Sequence, residues 1–201
     1  MVKVIEEFDP MKITNVAIQF IESGTQQPGE PFGCTGSVTG ETEMKVISKR
    51  CEGIISKKKA IPQQVNLTVS AHVKVQVMRD VMGLRNEGLK PGIYAYSNKS
   101  KGKNFILTAD VVDEFEDVTK LVAFPNCSSE TGLIFNVSNN EEEVAELELT
   151  FTALPDAEDD AGEKRFYYEA IIDELDDGED IKAKWHTAFT PQLVQQLTPT
   201  P

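Results

Sequence analysis

Apolar and polar side chains alternate with a period of two along the clearest segment of this sequence. From position 145 to 153 every odd residue is apolar and every even residue is a glutamate or a threonine. Successive side chains of a β-strand point to opposite faces of a sheet, so this pattern predicts a strand with one buried and one polar face. Similar alternation recurs at 12–21, 36–49 and 64–72. The sequence therefore predicts a mainly-β fold.

One segment has helical spacing instead. Between Ala71 and Gly83, apolar residues recur at intervals that place them on one helix face, and Gly83 is suited to end the helix. Further strands are predicted at 92–97, 104–112, 118–124, 133–137 and 165–175. Eight to nine strands with one helix are typical of a two-sheet β-sandwich or an open barrel with a flanking α-helix.

The predicted strands at 36–49 and 65–69 form a long hairpin whose loop spans 51–62. This loop combines an apolar pair, Ile54 and Ile55, with three consecutive lysines, Lys57, Lys58 and Lys59. Lysines at a hairpin tip are a common protection against edge aggregation. Alternatively, the apolar pair docks on a neighbouring molecule while the lysines steer its approach. The sequence leaves both interpretations open.

Charge is distributed unevenly along the 201 residues, whose formal net charge is -13. Residues 1–103 contain 15 basic and 10 acidic side chains, whereas residues 104–201 contain 5 basic and 23 acidic. Acidic loops that happen to cluster late in the chain would explain this asymmetry. Electrostatic complementarity between the basic part of one copy and the acidic part of another would explain it equally, and favours head-to-tail association.

Several function classes are disfavoured. No run reaches the roughly 18 apolar residues of a membrane helix, and the acidic first residues do not resemble a signal peptide, so we expect synthesis in a cytosol and no membrane. Net negative charge disfavours an ordinary nucleic-acid reader. The three cysteines lack zinc spacing, His72 and His186 stand apart from any catalytic motif, and we expect neither a metal, nor a cofactor, nor an enzyme.

The ends of the chain differ from its middle. Residues 1–11 have little periodicity and predict an N-terminal arm before a single domain at 12–180. Residues 181–201 predict a C-terminal arm that holds the only tryptophan. Trp185, Phe189 and Leu193 are its candidate docking residues, because a terminal segment with such side chains either docks on a surface or stays loose.

The order of these parts resembles a known family. A long hairpin begins at Phe32-Gly-Cys-Thr-Gly-Ser-Val-Thr-Gly-Glu and returns at Gln64-Val-Asn-Leu-Thr-Val-Ser-Ala-His. A short helix ending at Met82-Gly-Leu follows, and then an acidic series of strands and a tail. This order is similar to that of the major tail tube proteins of long, non-contractile-tailed bacteriophages. The resemblance covers most of 12–175 and is strongest over 32–96.

The resemblance implies a structural virion protein, made in the bacterial cytoplasm and located in the phage tail. Members of the family assemble as hexameric rings that stack head to tail into a tube, with the tape measure and other tail proteins as partners. DNA passes through such a tube without tight binding. On this interpretation Ile54, Ile55 and the three lysines contact the next ring, and Glu146 and Glu148 are candidates for the channel lining.

Two other classes remain open. One is a soluble β-sandwich binding module, for instance for carbohydrate, which would use the aromatic residues Trp185, Tyr94, Tyr96, Tyr167 and Tyr168. The other is a different virion component, such as a tail terminator or a capsid decoration protein.

Overall fold

A computed structural model describes residues 5–137, 144–156, 162–176 and 178–195. These residues contain nine strands and two α-helices. In chain order they are β1 (Pro10–Glu22), β2 (Thr25–Gln26), β3 (Glu30–Pro31), β4 (Gly33–Cys51), β5 (Ile54–Val73), α1 (Val75–Met82), β6 (Asn104–Asp113), β7 (Thr119–Ser129), β8 (Leu147–Ala153), β9 (Tyr168–Ile171) and α2 (Gly178–Trp185). Short 3-10 helices lie at Ile172–Glu174 and Pro191–Val194.

All nine strands belong to one antiparallel sheet. Its main path runs in the order β2, β1, β6, β7, β8, β5 and β4, while β3 pairs with β1 and β9 pairs with β7. β7 joins the two halves of this path, because it pairs with β6 and its last residues also pair with β8. Its earlier residues pair with β9. The predicted mainly-β class is confirmed. The two predicted forms were a two-sheet sandwich and an open barrel, and a single continuous sheet matches the open barrel.

The sheet curls around a core to which both ends of the path contribute. Ile18 of β1, Leu67 of β5 and Phe151 of β8 are buried in the same cluster. Phe32 closes the gap between the two ends: its N–H donates to the Val16 carbonyl at 2.9 Å and its carbonyl accepts from the Lys74 N–H at 3.0 Å. The closure explains how a sheet with two edges encloses one core.

Helix α1 lies where the sequence predicts a helix. Val77, Val81 and Met82 are buried in the main core, which is the apolar face expected from their spacing. The helix ends at Gly83, whose φ of 71° is a left-handed conformation that glycine adopts without a steric penalty.

A second cluster lies on the outer face of β6 and β7. Ile106, Leu121 and Ala123 point away from the main core and are covered by Trp185 and Phe189, both fully buried. Strands β6 and β7 are therefore buried on both faces.

The buried amide of Gln19 fixes the C-terminal segment in this position. Its Nε2 donates to the Trp185 carbonyl at 3.0 Å, and its Oε1 accepts from the Phe189 N–H at 2.9 Å and from Gln26 Nε2. The indole Nε1 of Trp185 donates to the Val122 carbonyl at 3.0 Å. A buried amide with every group bonded favours one position of the segment over all others.

Two sequence predictions are corrected, and one open alternative is decided. The C-terminal segment was expected either to dock on a surface or to stay loose, and Trp185 and Phe189 dock on this chain's own sheet. Residues 181–195 therefore belong to the folded body, and residues 196–201 lie outside the described part. Residues 92–97 form only an isolated bridge between Arg85 and Ala95. Residues 133–137 form no strand with any of the described residues. Helix α2 was not predicted.

Trp185→Ala should destabilise the monomer by about 3–5 kcal/mol, because it empties a fully buried site and removes a hydrogen bond. Phe115→Ala is the matched control, since Phe115 is 77% exposed and its loss should change the free energy of unfolding by less than about 0.5 kcal/mol. Urea unfolding followed by circular dichroism measures both. Equal effects of the two substitutions would contradict the assignment of residues 181–195 to the body.

Candidate interaction surface

Strands β4 and β5 extend well beyond the rest of the sheet. Strand β8 pairs with β5 only from Ala71 to Val65, and from Glu43 onward β4 and β5 pair only with each other. We call residues 42–65 the projecting hairpin. Ten residues of β4 span about 30 Å at ~3.3 Å per residue. A projection of this length is the most prominent candidate for contact with another molecule.

The predicted loop at 51–62 is corrected to a strand. The turn consists of Glu52 and Gly53 alone, with φ values of 52° and 84°, the two positive values that a tight hairpin turn requires. Ile54 already pairs with Cys51. Gln63 and Ser56 have no partner in β4, so each forms a bulge in β5. The bulge at Gln63 lies next to Pro62, and a proline is tolerated in a strand beside a bulge.

The register divides the projecting hairpin into two faces. From Ser37 to Cys51 strand β4 has no inserted residue, so its even positions share the side of the buried Val69 and its odd positions share the opposite side. We call these the core-side face and the polar-side face. The core-side face consists of Thr42, Met44, Val46, Ser48 and Arg50 with Val65, Pro62, Ala60, Lys58 and Ile55. The polar-side face consists of Glu43, Lys45, Ile47, Lys49 and Cys51 with Gln64, Ile61, Lys59, Lys57 and Ile54.

The core-side face continues the hydrophobic core outside the body. Leu67 is buried and Val65 half-buried, and the same row then reaches Met44, Val46 and Ile55, which are 44%, 50% and 51% exposed. Nothing in the described residues covers this row. An exposed apolar stripe that adjoins a core is typical of a surface that another molecule covers.

The polar-side face of the hairpin is basic. It presents Lys45, Lys49, Lys57 and Lys59, and the register places Lys49 directly opposite Lys57. Like charges at directly opposed positions destabilise a pair of strands. Within the described part of the chain, no ion pair involves any of these lysines.

The structure separates the interface residues that the sequence grouped together. Ile54 and Ile55 point to opposite faces of the hairpin, and so do Lys57 and Lys58, because neighbours in a strand alternate. Ile55 and Lys58 lie on the core-side face, whereas Ile54, Lys57 and Lys59 lie on the polar-side face. Met44 and Val46 were not proposed as contacts, although their shared parity in the sequence could have identified them.

The candidate lining residues Glu146 and Glu148 lie at the base of the hairpin. Glu148 pairs with Ser70, which pairs with Ser37, so Glu148 belongs to the sheet face that continues into the polar-side face. The carboxylate of Glu146 lies over Gly36, where a side chain would collide with it. Both glutamates are exposed.

The aromatic residues proposed for a carbohydrate platform are largely engaged within the chain. Trp185 is fully buried, and Tyr168 packs edge-on against Phe189 at 5.4 Å between centroids. The Tyr94 ring is covered by the Arg79 guanidinium at 3.9 Å. These contacts leave only Tyr96 and Tyr167 with substantial exposure, too few for a stacking surface.

One polar cluster has the residue types of an acid–base site. His186 Nε2 lies 2.8 Å from Asp110 Oδ1, His186 Nδ1 lies 3.0 Å from Thr108 Oγ1, and Asn15 Nδ2 donates to Asp110 Oδ2 at 2.6 Å. Thr108 is fully buried and Asp110 almost so. Because these groups are bonded to one another and Thr108 is inaccessible, the cluster attaches the C-terminal segment to β1 and β6.

Burial raises the pKa of the Asp110 carboxyl, but the hydrogen bonds from His186 and Asn15 outweigh burial and hold the pKa below its ordinary value. A lowered pKa in the folded state stabilises the fold at neutral pH. This contribution disappears as the pH falls through the folded-state pKa.

Neither a metal centre nor a membrane span is present in the described residues. No group of three or more His, Cys, Asp or Glu side chains there is placed to hold a metal ion. No helix among them is both long and apolar enough to cross a bilayer.

Comparisons with known proteins include a distant likeness to a solved structure. No protein-family model and no curated protein sequence matches the chain. Among solved structures, the chain is similar to the cryo-EM structure of the anti-feeding prophage cap, described as the AFP tube terminating cap. The match covers 84% of this chain and 95% of that chain, with a TM-score of 0.45 and 12% identity. This likeness is too distant to carry a conclusion about the function of this chain.

Asp110→Asn should lower the free energy of unfolding at pH 7 by about 1–3 kcal/mol. His186 and Asn15 both donate to the buried carboxylate, and in the variant one of them would face an amide N–H, which cannot accept a hydrogen bond. The difference from the unsubstituted chain should shrink as the pH falls from about 4, the pKa of an aspartate in the unfolded chain, through the lower folded-state pKa of Asp110. Urea unfolding at several pH values measures it. Glu114→Gln, an exposed control, should have little effect, and a difference that is the same at every pH would contradict the role given to Asp110.

Proposed function

We propose that this chain is a structural protein of a phage tail that assembles with copies of itself into stacked hexameric rings. The stack is the tail tube through which DNA is delivered, as the resemblance to major tail tube proteins implies. The protein is then located in the virion tail after synthesis in the host cytoplasm. Its other partners are the tape measure and further tail proteins, and it has no catalytic role.

The observation that carries this proposal is the uncovered core-side face of the projecting hairpin. Met44, Val46 and Ile55 extend an apolar row away from the body and contribute little to the stability of an isolated chain. Burying each fully against another copy would contribute roughly 1.5–3 kcal/mol. A contact between the hairpin of one copy and a different surface of the next is heterologous, and a heterologous contact that does not close into a ring generates stacks.

Glu146 and Glu148 fit the lining proposed for the channel. They lie on an exposed sheet face that also carries Ser70, Thr68 and Thr39. Duplex DNA carries one negative charge per roughly 1.7 Å, so a wall of hydroxyls and carboxylates would not retain it. We place this face toward the channel.

A second candidate function rests on the lysines of the hairpin. A two-stranded β-ribbon fits the major groove of DNA, and Lys45, Lys49, Lys57 and Lys59 lie on one face of such a ribbon. The net charge of -13 opposes this function.

Val46→Ser with Ile55→Ser should prevent assembly while leaving the melting temperature of the monomer unchanged. Each lost apolar contact of about 1.4 kcal/mol raises the concentration needed for assembly tenfold. The control is Val75→Ser with Ile93→Ser, two residues of similar exposure outside the hairpin. Negative-stain microscopy and light scattering over a concentration series measure the outcome. Tubes of normal length from the hairpin variant would refute a docking role for the core-side face.

Duplex DNA should bind weakly or not at all, even at low salt. A gel-shift series from 20 to 200 mM salt separates the two functions. It compares the unsubstituted chain with the double variant Lys57→Glu with Lys59→Glu. Tight binding that the lysine substitutions abolish would support the DNA-binding ribbon and overturn the conduit.

A further inference from the structure

A long loop connects helix α1 to strand β6. Residues 84–103 contain no helix, and their only strand-like feature is the bridge between Arg85 and Ala95. Loops of this length without secondary structure are uncommon in compact domains, and many of them serve a function. We call residues 84–103 the basic loop, because they include five basic side chains and one acidic side chain.

Backbone contacts close the basic loop at its base. The backbone of Lys101 lies so close to Gly83 that a side chain at Gly83 would collide with it. The Lys103 N–H donates to the Asp80 carbonyl at 3.1 Å, and the Lys103 ammonium group lies 2.6 Å from the Asp80 carboxylate. The loop is therefore a preformed surface, which loses little freedom when it binds.

A turn in the basic loop presents an exposed tyrosine beside two lysines. Tyr96 is 46% exposed. The Ser100 N–H donates to the Ser97 carbonyl at 3.0 Å and the Ser97 N–H donates to the Ser100 hydroxyl at 2.9 Å, which fixes the turn that carries Lys99. Lys99 and Lys101 are exposed and form no ion pair within the described part of the chain. We call Tyr96, Lys99 and Lys101 the basic patch.

The turn between β6 and β7 carries the opposite charge. Residues 114–117 are Glu-Phe-Glu-Asp, and all four are exposed, Phe115 by 77%. The Asp113 carboxylate fixes this turn by accepting from the Asp117 and Val118 N–H groups at 3.1 and 3.3 Å. We call residues 114–117 the acidic turn. It presents an aromatic ring among carboxylates, as the basic patch presents one beside ammonium groups.

Strand β6 places the basic patch and the acidic turn at opposite ends of the body. The basic loop leads into Asn104, the first residue of β6, and the acidic turn follows Asp113, the last. The Tyr96 hydroxyl lies beside Gly132, which follows the end of β7 that pairs with the start of β6. The ten residues of β6 span about 30 Å, too far for the two surfaces to meet within one chain. They can meet between two copies that follow one another along β6.

We propose that the acidic turn of one copy docks on the basic patch of the next copy. Phe115 packs against Tyr96, and the glutamates on either side of Phe115 pair with the two lysines. Opposite charges around an exposed ring on each surface favour a second copy as the partner. The two surfaces differ, so the contact is heterologous and its repetition along β6 extends a stack. This inference rests on the proposed function, since it names a contact between successive copies that does not involve the projecting hairpin.

Charge reversal at each surface tests this contact. Lys99→Glu with Lys101→Glu makes both surfaces acidic, and Glu114→Lys with Glu116→Lys makes both basic. Each variant should need a roughly tenfold higher concentration to assemble at about 50 mM salt, and a smaller increase at about 500 mM, where charges are screened. The four side chains are exposed, and the ion pair of Glu116 with Lys12 at 3.6 Å is exposed too, so the melting temperature of the monomer should not change.

A charge-swapped chain that carries all four substitutions is the matched rescue. Its basic turn faces an acidic patch, and its net charge equals that of the unsubstituted chain. It should therefore assemble at the same concentration as the unsubstituted chain. Lys182→Glu with Lys184→Glu is the control, because it makes the same change of net charge as the Lys99 and Lys101 variant on exposed positions of helix α2. This control should assemble normally.

Cross-linking identifies the contact itself. Tyr96→Cys with Phe115→Cys, in a chain whose exposed Cys34 and Cys51 are replaced by serine, should form a ladder of disulfide-linked species under mild oxidation. The two introduced thiols cannot join within one chain, because a disulfide requires Cα atoms within about 7 Å. Either substitution alone should give no ladder.

The outcomes separate this contact from the proposed function. Normal assembly of either charge-reversal variant overturns the contact and leaves the proposed function standing. A charge-swapped chain that fails to assemble, or assemblies that give no ladder, also overturn the contact. A ladder from a chain that forms neither rings nor tubes would support the contact and overturn the proposed function. An unsubstituted chain that stays monomeric at millimolar concentration and low salt overturns both proposals.

Discussion

The antiparallel pairing of β4 with β5 is the interaction on which the rest of the structure depends. At its base the pair forms one wall of the core, with Val69 and Leu67 packed inside. At its far end no side chain is buried, and the strands are held together by backbone hydrogen bonds and by the Ser56 hydroxyl, which donates to the Lys49 carbonyl at 3.1 Å. One strand pair, with bulges at Gln63 and Ser56, thus connects the folded body to the surface that is offered to other molecules.

Much of the fold could be predicted because its signals are local. The alternation that ends at Phe151 and Ala153, and the apolar spacing before Gly83, depend on neighbouring residues alone. The strand at 54–62 could not be predicted this way, because lysines and a proline interrupt its apolar pattern. Its conformation is imposed by pairing with β4. Conversely, residues 92–97 alternate like a strand but pair with no strand in the described part of the chain.

The candidate surface was found only in part, for a similar reason. The sequence identifies Ile54, Ile55 and the lysines as unusual, but their division between two faces depends on the register and on the bulges at Ser56 and Gln63. The attachment of Trp185 depends on Gln19, which is 166 positions away in the chain. No local pattern reveals a contact of that kind, so the sequence left open whether the aromatic tail docks on a surface or stays loose.

The contacts of Gln19 also determine the order in which the protein can be completed during synthesis. The hairpin joins residues close in sequence and can form as soon as residue 73 has left the ribosome, since local contacts form fastest. The second cluster must wait for Trp185 and Phe189, near the end of the chain. A nascent chain therefore displays its adhesive hairpin long before its body is closed, and exposed apolar surface on unfinished chains promotes aggregation. Translation rate and chaperone access should accordingly govern how much of this protein reaches the assembled state.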